Sequence, residues 1–152
     1  MKLAFAVKHL GASQFNHDLI LNTNRVMRSR SDLDISVLFE DVARPCIPLH
    51  FSSMHIIEGW GYDGAVIATN LSTAEKMIRF PCVSKRLFYA YDLEWLRLAQ
   101  KPFRQLRAIY GHPDVILAAR CKDHADVMSK AWNRTVEVVE SVDIERLLEL
   151  VS

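Results

Sequence analysis

Short apolar runs that stop at a polar residue recur along this chain, with amphipathic stretches between them. Residues 3–7, 35–40, 65–69, 87–91, 115–119 and 136–139 are such runs. Their length and lack of alternation read as strands covered on both faces. Residues 16–30 place Leu19, Ile20, Val26 and Met27 at helical spacing and end on basic residues, which suits the negative end of a helix. Residues 72–80 read as a second helix, with Ser72 as its cap and Glu75 closing a capping box before Pro81 stops it. Residues 94–100 and 103–110 read as helical, split by Lys101 and Pro102, and residues 123–132 as a further helix. Asp143 caps a last helix over residues 144–151. Pro45 and Pro48 make residues 44–48 a loop, and residues 54–57 read as a short extra strand or a turn.

Strands and helices thus alternate from end to end. That predicts a three-layer α/β sandwich, a mostly parallel sheet of about six strands with helices on both faces, in the Rossmann-like manner. No repeat, low-complexity tract or linker divides the 152 residues, so residues 1–152 read as one domain.

Composition narrows the function classes only a little. Nineteen basic residues face eighteen acidic ones, a net charge of +1, which gives no global attraction to nucleic acid or an anionic membrane. Lys85, Arg86, Arg97, Lys101, Arg104 and Arg107 are close in sequence. They read as a solvated helix face or as a local basic patch, and the patch would bind DNA or RNA with a steep salt dependence. Cys46, Cys82 and Cys121 are widely spaced and form no CxxC, so they read as reduced thiols of a cytoplasmic protein. No run approaches the ~18 apolar residues of a membrane span, and the apolar start is too short for a signal peptide.

Ligands in such sheets bind outside the carboxyl ends of the strands. Asn70 and Asp92 stand there, each at the end of an apolar run. Asp92 has two readings. Beside aromatic rings its carboxyl group would have a raised pKa and act as general base on a hydroxyl; alternatively it caps a following helix. Asn70 either hydrogen-bonds a ligand hydroxyl or starts the next helix. Gly11, Ala12 and Ser13 follow the first strand, where backbone N–H groups can meet a phosphate or sugar; the other reading is a tight connection. One glycine there is not the dinucleotide fingerprint, and no HExxH, GxSxG or Walker motif occurs. Trp60 and Tyr62, in a glycine-rich loop, read as shielded aromatics or as a surface that stacks on a sugar or a second copy.

The order of these phrases resembles the N-terminal half of GT-B glycosyltransferases across essentially the whole chain. The likeness is carried by residues 2–7 with the loop Gly11-Ala12-Ser13, and by Tyr62-Asp63-Gly64-Ala65-Val66-Ile67-Ala68-Thr69. It continues through Phe88-Tyr89-Ala90-Tyr91-Asp92-Leu93-Glu94, then Val115-Ile116-Leu117-Ala118-Ala119-Arg120, then Val138-Val139-Glu140-Ser141-Val142-Asp143. The chain is also similar to small glycosyltransferase-like proteins of cyanobacterial tailed phages. The resemblance implies an acceptor-binding domain with Asp92 as catalytic base and Gly11, Ala12, Ser13, Asn70 and Glu94 along the ligand cleft. It implies a nucleotide sugar as co-substrate, no tightly bound cofactor and no required metal, because helix dipoles stabilise the leaving phosphate. Glu140-Ser141 stands where the family has an Asn-Gly turn, and the chain ends at Ser152, where the family begins its donor-binding domain. The expectation is therefore a transferase half completed by a partner or a second copy in the host cytoplasm, with a non-catalytic Rossmann-like module as the alternative.

Overall fold

Seven strands form one all-parallel sheet in this computed structural model, which describes residues 1–97 and 103–152. They are β1 (Lys2–Val7), β2 (Asp34–Phe39), β3 (Ser52–His55), β4 (Ala65–Ala68), β5 (Lys85–Ala90), β6 (Val115–Ala119) and β7 (Val136–Val138). Their order across the sheet is β3-β2-β1-β4-β5-β6-β7. The alternation of elements therefore yields the expected Rossmann-like sandwich, with one strand more than expected. The extra strand, β3, pairs with β2 in the register Ser36 to Ser52 through Phe39 to His55. It is an edge strand and mostly exposed, so its sequence lacks the apolar run that marks the buried strands.

Side-chain alternation along the strands builds a core on each face. Leu3, Phe5 and Val7 of β1 join Leu19 and Ile20 of α1 (Gln14–Ser29) and Leu147 of α5 (Ile144–Val151). Ala4 and Ala6 point the other way, with Ala68 and Ala90, toward Leu71 and Ala74 of α2 (Leu71–Met77). Small side chains on that face let α2 lie close to the sheet. The same core takes in Ile109 of α3 (Phe103–Tyr110) and Met128 of α4 (Lys122–Trp132). Tyr89, fully buried in the first core, donates its hydroxyl proton to the Val139 carbonyl at 2.8 Å; burial pushes its pKa up.

Two local expectations change. Helix α2 begins at Leu71 and is capped by Asn70, not Ser72: Asn70 Oδ1 accepts the Thr73 N–H at 3.0 Å, and Thr73 Oγ1 accepts the Asn70 N–H at 3.3 Å. Asn70 wins because it leaves the strand with extended backbone, the geometry a cap requires. Ser72 instead donates to Glu40 Oε1 at 2.6 Å. After β5 the chain makes a short 3-10 turn over Glu94–Leu96. The rest of the helix expected over residues 94–100, and the break at Lys101 and Pro102, fall partly outside the described residues. Asp143 caps α5 as expected, accepting the Arg146 N–H at 3.2 Å. No helix among the described residues is long and apolar enough to cross a membrane.

Candidate functional site

Strands β1 and β4 lie side by side, yet the helix after β1 covers one face of the sheet and the helix after β4 covers the other. The chain divides there and leaves a crevice beyond the strand ends. The crevice measures about 180 Å³ and is lined from three neighbouring strands: Lys8 and His9 after β1, Thr69 and Asn70 after β4, and Tyr91 and Asp92 after β5. Ser13, Phe15 and Asn16 close it from the start of α1, and Glu94 from the turn beyond β5.

The loop between β1 and α1 is held by its own polar groups. The Gly11 N–H donates to His9 Nδ1 at 3.1 Å. Asn16, buried in the first turn of α1, donates Nδ2–H to the Gly11 carbonyl at 2.7 Å. With Nδ1 accepting, the ring proton of His9 sits on Nε2, which makes that nitrogen a donor for a ligand. A Cβ at Gly11 would lie 3.2 Å from His9 Nδ1 and 3.3 Å from the Ala43 methyl, so a larger residue would push these side chains by a few tenths of an ångström. Ser13 caps α1 by accepting the Asn16 N–H at 3.1 Å. Its hydroxyl proton is the part that can serve a ligand.

On the opposite wall Asn70 uses Oδ1 as the cap of α2, so its contribution to a ligand is the Nδ2 donor. Glu94 reaches back to the start of α2, accepting the Leu71 N–H at 3.4 Å. Phe15 and Tyr91, ring centroids 5.0 Å apart, supply the apolar part of the wall.

Asp92 caps no helix: the turn that follows begins at Glu94, its cap position is Leu93, and no side chain bonds there. The carboxylate is 44% exposed, with Arg120 Nη2 at 3.7 Å. Arg120 comes from the end of β6 and sets its guanidinium 4.9 Å from the Tyr91 ring centroid.

Of the residues expected at the site, Ser13, Asn70, Asp92 and Glu94 therefore share one crevice. Gly11 and Ala12 do not line it: Gly11 uses both backbone groups to brace His9 and Asn16, and Ala12 is turned to solvent. Lys8, His9, Asn16 and Tyr91 are lining residues that the motif reading passed over. The described members of the basic run that can be placed by their contacts do not all lie together. Arg86 is turned to the Met77 and Phe80 carbonyls near the amino ends of the strands, Arg97 follows the turn at their carboxyl ends, and Lys101 lies outside the described residues. Among the described residues no three His, Cys, Asp or Glu side chains are grouped to hold a metal ion.

Fold and crevice together define a Rossmann-like α/β protein with an open crevice, lined in part by polar side chains, at the switch point of its sheet. Searches against family models, curated proteins and solved structures find no match to this chain.

Proposed function

We propose that the crevice binds a hydroxyl-bearing acceptor and that the chain is the acceptor-binding domain of a GT-B-type glycosyltransferase. The observation that carries this reading is Asp92, a half-exposed carboxylate at the carboxyl end of β5 with no capping duty. In the reaction its carboxylate takes the proton of the acceptor hydroxyl as that oxygen attacks the anomeric carbon. The bond from the anomeric carbon to phosphate breaks, and the nucleoside diphosphate leaves with the electron pair. Ser13 Oγ–H, His9 Nε2–H and Asn70 Nδ2 orient the other hydroxyls of the acceptor.

A volume of about 180 Å³ admits a single ring. It is smaller than the roughly 300–1,000 Å³ of sites that enclose a whole cofactor-sized ligand. The nucleotide sugar is therefore held mainly by a second wall, supplied by a partner domain or another copy. The ion pair with Arg120 favours one other reading, a module that binds the same ligand without turning it over.

Thermal unfolding with a panel of UDP- and GDP-sugars and simple glycosides, followed by a hydrolysis and transfer assay, tests the proposal. The expected result is stabilisation by at least one glycoside and turnover that Asp92→Asn lowers about 100-fold or more, within the usual range for a general base. Full turnover in Asp92→Asn removes Asp92 from the chemistry. Stabilisation without turnover, in the presence of every candidate partner, leaves the binding module.

A further inference from the structure

A second depression lies beside the crevice and shares Lys8 with it. It measures about 370 Å³ and sits over the carboxyl ends of β2 and β3, against α2. Its chemistry is divided. One side is apolar, formed by Trp60 and Ile57 over Phe80, with the Trp60 and Phe80 rings 6.0 Å apart and tilted by 66°. Trp60 is 53% exposed and Ile57 61% exposed, so two large apolar side chains stand in water at the rim of a cavity.

The other side is cationic, and the reason is Glu40. Its side chain, directly after β2, is only 3% exposed. Oε1 accepts from Ser72 and from the Lys76 ammonium, and Oε2 faces Lys8 Nζ at 3.3 Å. The Lys8 and Lys76 side chains are 54% and 47% exposed. The anion therefore lies beneath and the cations above, with their outer faces toward the cavity. Asp41 shares Lys8 from the rim at 3.1 Å, and Arg79, itself paired with Glu75 at 3.1 Å, lines the same side. Burial pushes Glu40 up, but the bonds from Lys76 and Ser72 outweigh it and keep the carboxyl group below its ordinary range. A buried ion cluster of this kind is weak support for stability. What it does achieve is to fix two ammonium groups beside an exposed indole.

We propose that this depression is a nucleotide site, with the heteroaromatic ring against Trp60 and the phosphate on Lys8 and Lys76. Its volume falls within the roughly 300–1,000 Å³ of ligand sites. An inorganic phosphate would meet the cations and leave Trp60 and Ile57 wet; a bare ring would leave the ammonium groups unused. Only a ligand that joins the two uses both sides. The site goes beyond the transfer reaction and involves neither Asp92 nor the glycoside acceptor.

The test is a calorimetric or fluorescence titration of the full chain with AMP, GMP, CMP and UMP. Inorganic phosphate, ribose 5-phosphate and the free nucleosides serve as controls. At least one nucleotide is expected to bind ten-fold or more tightly than phosphate or ribose 5-phosphate. Trp60→Ala is expected to weaken it about ten-fold while Trp60→Phe retains most of the affinity, as stacking on an aromatic ring requires. Lys8→Met is expected to weaken the nucleotide ten-fold and flatten the salt dependence. The proposal is overturned if no nucleotide outbinds phosphate, or if Trp60→Ala in a chain of unchanged circular dichroism binds as the wild type does. Nucleotide binding without transferase turnover, with every candidate partner present, upholds this site and removes the transfer reaction; glycoside turnover without nucleotide preference does the reverse.

Discussion

Arginine has different work at the two edges of the sheet. Near the amino ends of the strands Arg134, just before β7, donates to the carbonyls of Tyr110, His112 and Val115 at 3.1, 2.8 and 2.8 Å. Arg86 likewise donates to the Phe80 carbonyl at 2.5 Å. These guanidinium groups are pinned to main chain and tie loops together. At the carboxyl ends Arg120 meets, among the described residues, a half-exposed carboxylate at 3.7 Å and the face of a tyrosine ring. The same contrast holds for other polar groups. His9, Asn70 and Asp92 stand around open volume, while Tyr89, fully buried, gives its hydroxyl to the Val139 carbonyl at 2.8 Å. A polar side chain enclosed by its partners reads as structure. One placed beside space reads as function, and the contrast can be broken by mutation.

The largest effect is expected at the amino edge. Arg134→Ala removes a charged donor from three carbonyls at once. Bonds to charged groups are worth roughly 1.5–3 kcal/mol each, and water takes over part of the loss, so about 2–4 kcal/mol of stability should go. Urea unfolding measures it. Arg134→Lys should recover only part, because one ammonium group cannot reach three acceptors that a planar fork spans. A loss below ~1 kcal/mol would mean that the amino edge is not held in this way.

Most of this frame was legible in the amino acids because burial on both faces leaves an unbroken apolar run. Strands β1, β4, β5 and β6 carry such runs, and they meet at the sheet centre. The sequence Ser52-Ser53-Met54-His55 has no such pressure on it, being an edge strand open to water, and was legible only as a short strand or a turn near residues 54–57. The crevice follows from the same logic: Asn70 and Asp92 end neighbouring strands, so reading where apolar runs stop brings them together. Glu40 ends a run in the same way and carried the same signal. Its lysine and serine partners lie more than 30 residues away, at Ser72 and Lys76, and no local spacing reveals them. His9 and Asn16 were hidden for another reason. Each fits an ordinary loop or helix turn, and only the fold turns them to one side.

Glu40 tests the contrast at an intermediate size, because it is both enclosed and beside a cavity. Its folded carboxyl group is held below the ordinary value of 4.5. Its contribution to stability is thus complete above that value and fades as pH falls through the lower folded value. Glu40→Gln should cost about 1.5–3 kcal/mol at neutral pH, the range for hydrogen bonds to a charged group. The cost should shrink below pH 4.5, where the wild-type carboxyl group also becomes neutral. Unfolding curves of both proteins from neutral pH into acid should therefore converge. Parallel curves would mean that the lysines do not depend on the charge of Glu40.

The smallest effect on stability is expected at Asp92, and that is what makes it diagnostic. Its carboxylate is 44% exposed, and the ion pair it makes among the described residues, at 3.7 Å, joins it to an arginine that is itself 39% exposed. Exposed pairs of that kind are worth about 0–1 kcal/mol. Asp92→Asn should leave stability within ~0.5 kcal/mol of wild type while ligand affinity or turnover falls. Asp143→Ala supplies the scale, since Asp143 accepts the Arg146 N–H at the start of α5 and performs the capping role that Asp92 lacks. That substitution should cost about 1 kcal/mol, the ordinary value of a cap. If Asp92→Asn matches Asp143→Ala in stability and leaves glycoside affinity untouched, Asp92 belongs with the groups that hold the fold, and the carboxyl edge loses its strongest claim to chemistry.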